Sequence, residues 1–199
     1  MNALLISASP SEHSRSAALL AAAGQALERV GVRSQRLALR ELPAAPLLAA
    51  RRADPAIAEA LALLARSPVI VLATPIYKAA YSGLLKVFLD LLPQDGLHGK
   101  CVWSLATGGS AAHTLALDHS LRPVLDNLGA HPAAASVYAL ESQLVLRDDG
   151  HAAQIDADIE RRLDNGADRI AHALELQRPL RERAPAASAL ALEAARCSA

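Results

Sequence analysis

The chain has 199 residues, with 20 Lys and Arg against 20 Asp and Glu and 52% hydrophobic residues. The charge balance excludes a basic surface for nucleic acid or anionic membrane, and the hydrophobic fraction excludes intrinsic disorder. Arg, Asp or Lys interrupts every apolar run before the roughly 18 residues needed to span a bilayer, and the length suits one domain.

The chain opens on Met1–Ile6, which lacks the basic segment and cleavage site of a signal peptide and reads as the first strand, Ala3–Ala8. A helical stripe follows in Leu19, Leu20, Ala23, Leu27 and Val30. Val32–Leu39 alternates like an outer strand, and Ile57, Leu61 and Leu64 mark a second helix. Pro68–Thr74 is a continuous apolar strand. Leu84, Leu85, Phe88, Leu91 and Leu92 form a third helix, closed by Pro93. Lys100–Thr107 is the fourth strand. Leu117, Leu121, Val124, Leu125 and Leu128 predict one further helix, stopped by Gly129. Ala133–Ala139 is a weaker fifth strand, and Ile155, Ile159, Leu163, Ile170 and Leu174 predict the last helix.

Continuous β-branched runs suit strands covered on both faces, and apolar spacing of three and four residues marks core-facing helices. The strict strand–helix alternation predicts a doubly wound α/β domain over residues 1–176. The tail, residues 177–199, is rich in Ala and Arg and is expected either to be disordered or to carry a short Ala-rich helix around Ser188–Arg196. Cys101 and Cys197 are too far apart in sequence for a CxxC motif and form no disulfide framework, so a reducing cytoplasm is the simplest home.

Ligands of open α/β sheets bind beyond the carboxyl ends of the strands, so the loops there are the candidates for chemistry. The first, Ser9-Pro10-Ser11-Glu12-His13-Ser14-Arg15-Ser16, has no glycine, which excludes the dinucleotide fingerprint and the P-loop. Serines at a helix N-terminus offer hydroxyl and amide donors suited to a terminal phosphomonoester, although an ordinary N-cap would use the same residues. The second, Thr74–Gly83, holds Tyr77 and Tyr81, two of five aromatic residues, behind Pro75, which is expected to hold the backbone extended away from the sheet. The third, Thr107-Gly108-Gly109-Ser110, has two glycines that allow positive φ and close approach to a ligand. Three loops on one edge suit a flat phosphorylated cofactor.

His113 and His119 are six residues apart, on different helical faces, and do not make the paired ligands of a metal site. No G-x-S-x-G elbow supports a hydrolase triad. Cys101 reads as an inert core thiol, and Asp148-Asp149 before Gly150 as a solvated turn. None of these groups is catalytic.

The block TPIYKAAYSGLLKVFLDLLP, with SASPSEHSRSAALL before it and ATGGSAAH after it, resembles the NADPH-dependent FMN reductase family over residues 1–175. Within it, the closest likeness is to the reductase components of two-component sulfonate monooxygenase systems. The resemblance implies a flavodoxin-like fold, a five-stranded parallel sheet of order 2-1-3-4-5 with helices on both faces. It also implies FMN and NAD(P)H as cofactors, NADPH more than NADH. Ser9, Ser14, Arg15 and Ser16 would hold the FMN phosphate. Pro75, Ile76, Tyr77 and Lys78 would line the isoalloxazine ring, and Thr107, Gly108, Gly109 and Ser110 would close its other side.

The partner implied is an FMN-dependent monooxygenase of sulfur metabolism that takes up reduced FMN. Members often carry Arg where Ser11 stands, and the alkanesulfonate branch carries Tyr where His119 stands. The resemblance further implies a homo-oligomer, dimer or tetramer, built through the fourth helix, whose apolar surface is wide. His119 is expected at that interface, beside the flavin. Two alternatives use the same loops: a flavoprotein reductase of quinones, azo dyes or metal oxyanions that retains FMN, and a flavodoxin-like electron carrier. Carriers of that kind are usually acidic, which the neutral balance here opposes.

Overall fold

A computed structural model describes residues 2–148 and 152–183. The elements run β1 (Asn2–Ser7), α1 (Arg15–Arg29), β2 (Arg33–Ala38), α2 (Ala44–Leu48), α3 (Pro55–Arg66), β3 (Val69–Tyr77), β4 (Ala80–Tyr81) and α4 (Gly83–Leu89). They continue with β5 (Cys101–Gly108), a π-helical turn (Leu117–Leu121), α5 (Arg122–Asn127), β6 (His131–Pro132), β7 (Val137–Leu140), β8 (Leu144–Leu146), β9 (Ala152–Ile155) and α6 (Ala157–Arg183).

The main sheet runs β2-β1-β3-β5 and ends on an edge position shared by β6 and β7. The strand positions therefore read 2-1-3-4-5, the flavodoxin-like order, with every neighbour on this path parallel. Side chains on a strand alternate faces. Accordingly Leu4 and Ile6 enter a core layer with Ile57, Leu64, Leu85 and Phe88. Ala3 and Leu5 enter the opposite layer with Leu19, Leu27, Trp103, Leu163 and Ile170. Thus α1 and α6 cover one face, and α3, α4 and α5 cover the other.

Helix starts follow local chemistry. The Ser14 hydroxyl accepts the Ala17 N–H at the head of α1. The Asp54 carboxylate accepts those of Ala56 and Ile57, with Pro55 in the first turn of α3. Each such cap is worth about 1 kcal/mol.

Four elements depart from expectation. β3 does not leave the sheet at Pro75: Pro75 still pairs with Thr107, and the strand runs on to Tyr77 before turning back through β4. The fourth apolar stripe is not one α-helix. Its first turn is π-helical, and Pro123 explains the widening, because the proline ring cannot pack against the carbonyl four residues back, at His119. Ser120 adds to it by donating its hydroxyl to the Ala116 carbonyl, 2.6 Å.

The fifth strand is split. Between β6 and β7 the chain bulges, and its carbonyls are taken by side chains: Trp103 Nε1 donates to Ala135 and an Arg162 guanidinium nitrogen to Ser136, both at 3.1 Å. Ile155, read as the start of the last helix, instead ends β9, which forms an antiparallel pair with β8. Cys101 is buried, as expected. The anticipated Asp148–Gly150 turn lies partly outside the described residues, and Ser188–Arg196 and Cys197 lie wholly outside them. Among the described residues, no helix is long and apolar enough to cross a membrane.

Candidate functional site

The parallel strands deliver their carboxyl ends to one edge, where an open cleft of about 590 Å³ is lined by fourteen residues. Ten of the twelve residues expected from sequence line it: Ser9, Ser14, Arg15, Ser16, Pro75, Ile76, Tyr77, Thr107, Gly108 and Gly109. Lys78 and Ser110 do not. Ser11, His13, Glu141 and Leu146 complete the wall.

The serine end is built around the N-terminus of α1. Ser9 and Ser16 are buried. The Ser9 hydroxyl accepts the Ser11 N–H at 3.1 Å, which folds the loop back on itself. Ser14 and Ser16 oxygens are 3.4 Å apart. Arg15, the first residue of α1, directs one terminal guanidinium nitrogen to the Glu141 carboxylate at 3.5 Å. Its Nε is shut off from solvent with no hydrogen-bond partner among the described residues. Hydroxyls, a cation with spare donors and the positive end of a fifteen-residue helix form a donor set that fits a phosphomonoester.

The second wall is fixed by Thr74 and Ser82, both buried. Thr74 Oγ1 accepts the Ser82 N–H at 2.9 Å and donates to the Pro75 carbonyl at 3.0 Å. Ser82 Oγ donates to the Ala8 carbonyl at 2.7 Å while capping α4 through the Leu85 N–H. The exits of β1 and β3 are thereby tied to each other. Lys78 and Ala79 make the hairpin turn with φ of 50° and 64°, left-handed backbone that costs non-glycine residues about 1 kcal/mol or more. Lys78 is thus a turn residue. Tyr77, at the hairpin's end, is 50% exposed and offers an aromatic face at the cleft.

The third wall shows why its glycines are there, and the reason differs from the expected one. Neither Gly108 nor Gly109 adopts positive φ. Gly108 is required by packing: a Cβ there would be 2.2 Å from the Tyr138 hydroxyl oxygen. That buried hydroxyl donates to the Ser110 carbonyl at 2.8 Å, so Tyr138 holds the loop through its backbone. Burial raises the Tyr138 pKa above its ordinary value, so the phenol stays a donor at neutral pH. Ser110 turns away to cap the next turn, accepting the Ala112 N–H.

Tyr138, Glu141 and Leu146 are the residues at this edge that sequence reasoning missed. They come from the β7–β8 region, whose weak apolar pattern gave no sign of a fourth contributing segment. His119 is exposed on the π-helical turn and does not line the cleft.

The family model for NADPH-dependent FMN reductase matches residues 1–144. The FMN reductase (NADPH) of Escherichia coli K12 is 39% identical over 174 residues, covering 87% of this chain and 90% of that protein. The FMN reductase (NADPH) of Pseudomonas putida is 38% identical over 174 residues, covering 87% and 88%. A solved apo structure of NADH:FMN oxidoreductase (EMOB) superposes with a TM-score of 0.77 at 35% identity, covering 86% of this chain and 89% of that one. Likeness over most of both chains joins a sheet edge whose donors suit a phosphorylated flat ligand, and this oxidoreductase belongs to the NADPH-dependent FMN reductase family.

Proposed function

We propose that this FMN reductase treats FMN as a diffusible substrate and supplies the reduced form to a flavin-dependent monooxygenase of the sulfonate-oxidising type, working in the cytoplasm. In this reading Ser9, Ser14, Arg15 and Ser16 hold the phosphate. Pro75, Ile76 and Tyr77 line one side of the ring, and Thr107, Gly108 and Gly109 the other, while Lys78 and Ser110 shape the loops that carry them. NADPH is the favoured hydride donor, after the activity named for the two bacterial relatives.

The supporting observation is charge. Arg15 is the single Lys or Arg among the fourteen lining residues, and it already faces a carboxylate. FMN phosphate carries a charge near −2, and one cation already paired with a carboxylate leaves this cleft little net positive charge with which to retain it. When bound, the flavin supplies the hydride-accepting ring. The chain's own task is to orient that ring against the nicotinamide and exclude water, which needs no dedicated acid or base.

Homo-oligomer assembly belongs to the same reading. A surface groove between α4 and α5 is lined in part by Leu92 and Val124, both partly exposed, and burying these side chains against a second subunit would add stability.

Anaerobic reduction tests the proposal. With NADPH and FMN both in large molar excess over protein, the whole pool of free FMN should lose its visible absorbance. If reduction stopped at one flavin per chain while an added quinone continued to be consumed, the protein would be a retained-flavin quinone reductase instead.

A further inference from the structure

Glu141 has no part in the phosphate-holding set above, yet its carboxylate is in the same cleft. It stands on a built turn: Gln143 Oε1 accepts the Leu140 N–H at 3.0 Å, and the Gln143 carbonyl accepts the Asp156 N–H at 2.8 Å. From that turn the carboxylate reaches back across the cleft, 3.5 Å from an Arg15 guanidinium nitrogen and close over Gly109, where a Cβ would be 3.6 Å from Glu141 Oε1. The Arg15 and Glu141 side chains are 40% and 55% exposed, so the pair is too wet to matter much for stability. Its position gives it a different role. The N-terminus of α1 and the cleft's one guanidinium attract an anion, and the chain has placed one of its own beside them.

We propose that Glu141 is an internal competitor for Arg15 that weakens FMN retention, so that flavin phosphate and the Glu141 carboxylate hold the guanidinium in alternation. Binding then exchanges one charge pair for another and leaves Glu141 beside a dianion without its partner. The net gain from the phosphate is smaller than the donor set alone would give, and FMN exchanges quickly. The buried, unpartnered Nε of Arg15 completes the picture: the guanidinium has a donor in reserve that Glu141 does not use. This inference rests on the reading that the serine end of the cleft takes the FMN phosphate.

The test is flavin-fluorescence titration of FMN and of riboflavin into wild type, Glu141→Gln, Arg15→Gln and the double variant. Glu141 is half-exposed and belongs to no core cluster, so the amide isostere leaves the fold unchanged. Glu141→Gln should tighten FMN about three- to tenfold at low salt, a gain that shrinks as ionic strength rises, with riboflavin unaffected. In the Arg15→Gln background most of that gain should vanish.

Weaker FMN binding in Glu141→Gln would overturn the proposal by showing that the carboxylate orients Arg15 for the phosphate. Unchanged FMN binding would overturn it too. So would a full gain without Arg15, which would reduce the effect to plain repulsion. A wild type that binds riboflavin as tightly as FMN would instead remove the underlying phosphate reading, whatever Glu141 does.

Discussion

Gly166→Ala should destabilise the fold by about 2 kcal/mol, although alanine is the better helix former by about 1 kcal/mol. Gly166 lies in α6 where the helix crosses the indole of Trp103, and an added Cβ would be 2.3, 2.8 and 2.9 Å from three atoms of that ring. The indole cannot yield cheaply. Trp103 is fully buried, packed within the layer under α1 and α6, and pinned by its Nε1 bond to Ala135. Either α6 lifts off the sheet or the bond breaks and the bulge between β6 and β7 loses its anchor. Trp103→Ala should cost more, about 3–5 kcal/mol, through the cavity and the unpaired carbonyl. The two sites are in contact, so their effects should not add. Trp103→Phe with Gly166→Ala should be less destabilised than the sum of the single variants. Urea midpoints at constant slope measure all of these; a Gly166→Ala variant as stable as wild type would show that α6 is free to shift.

Gly108→Ala should lower FMN affinity about tenfold or more, some 1.4 kcal/mol, with a smaller effect on stability. Its Cβ would be 2.2 Å from the Tyr138 hydroxyl oxygen and 3.1 Å from the ring carbon that bears it. Relief means turning the phenol away and surrendering its bond to Ser110, after which the third wall of the cleft loses its register. Tyr138→Phe keeps the ring and removes only the hydroxyl, so it should cost about 0.5–1.5 kcal/mol in affinity. Combined with Gly108→Ala it should restore part of what the alanine removes, because the 2.2 Å contact is gone. Titration with FMN reads both effects, and an additive double variant would show that the tyrosine does not act through Gly108.

Much of the molecule was legible in its residues for reasons that are local. Leu4–Ile6, Val69–Leu72 and Cys101–Trp103 are continuous apolar runs because both faces of those strands are covered, and such runs announce a parallel sheet. The serine loop, the β3 exit and the glycine pair were legible as neighbours because strand order brings them to one edge, where they line one cleft. The losses are non-local. Pro75 is compatible with either a departing or a continuing strand, and pairing with Thr107 decides it. Gly108 announces only that no side chain is tolerated; Tyr138, thirty residues on, supplies the reason. Glu141 has no pattern of its own and matters only because β7 ends opposite Arg15. The π-helical turn is an intermediate case: Pro123 was visible, but the apolar spacing of Leu117 and Leu121 fits either winding.

A crystal structure of the FMN complex tests the central claim most directly, namely that a glycine-free serine loop at the head of α1 takes the phosphate while β3 and β5 flank the ring. The account predicts phosphate oxygens within hydrogen-bond reach of the Ser9, Ser14 or Ser16 hydroxyls and of Arg15, with the flavin ring between Pro75–Tyr77 and Thr107–Gly109. A phosphate elsewhere, with those hydroxyls still engaged only with one another and with the backbone, would contradict it.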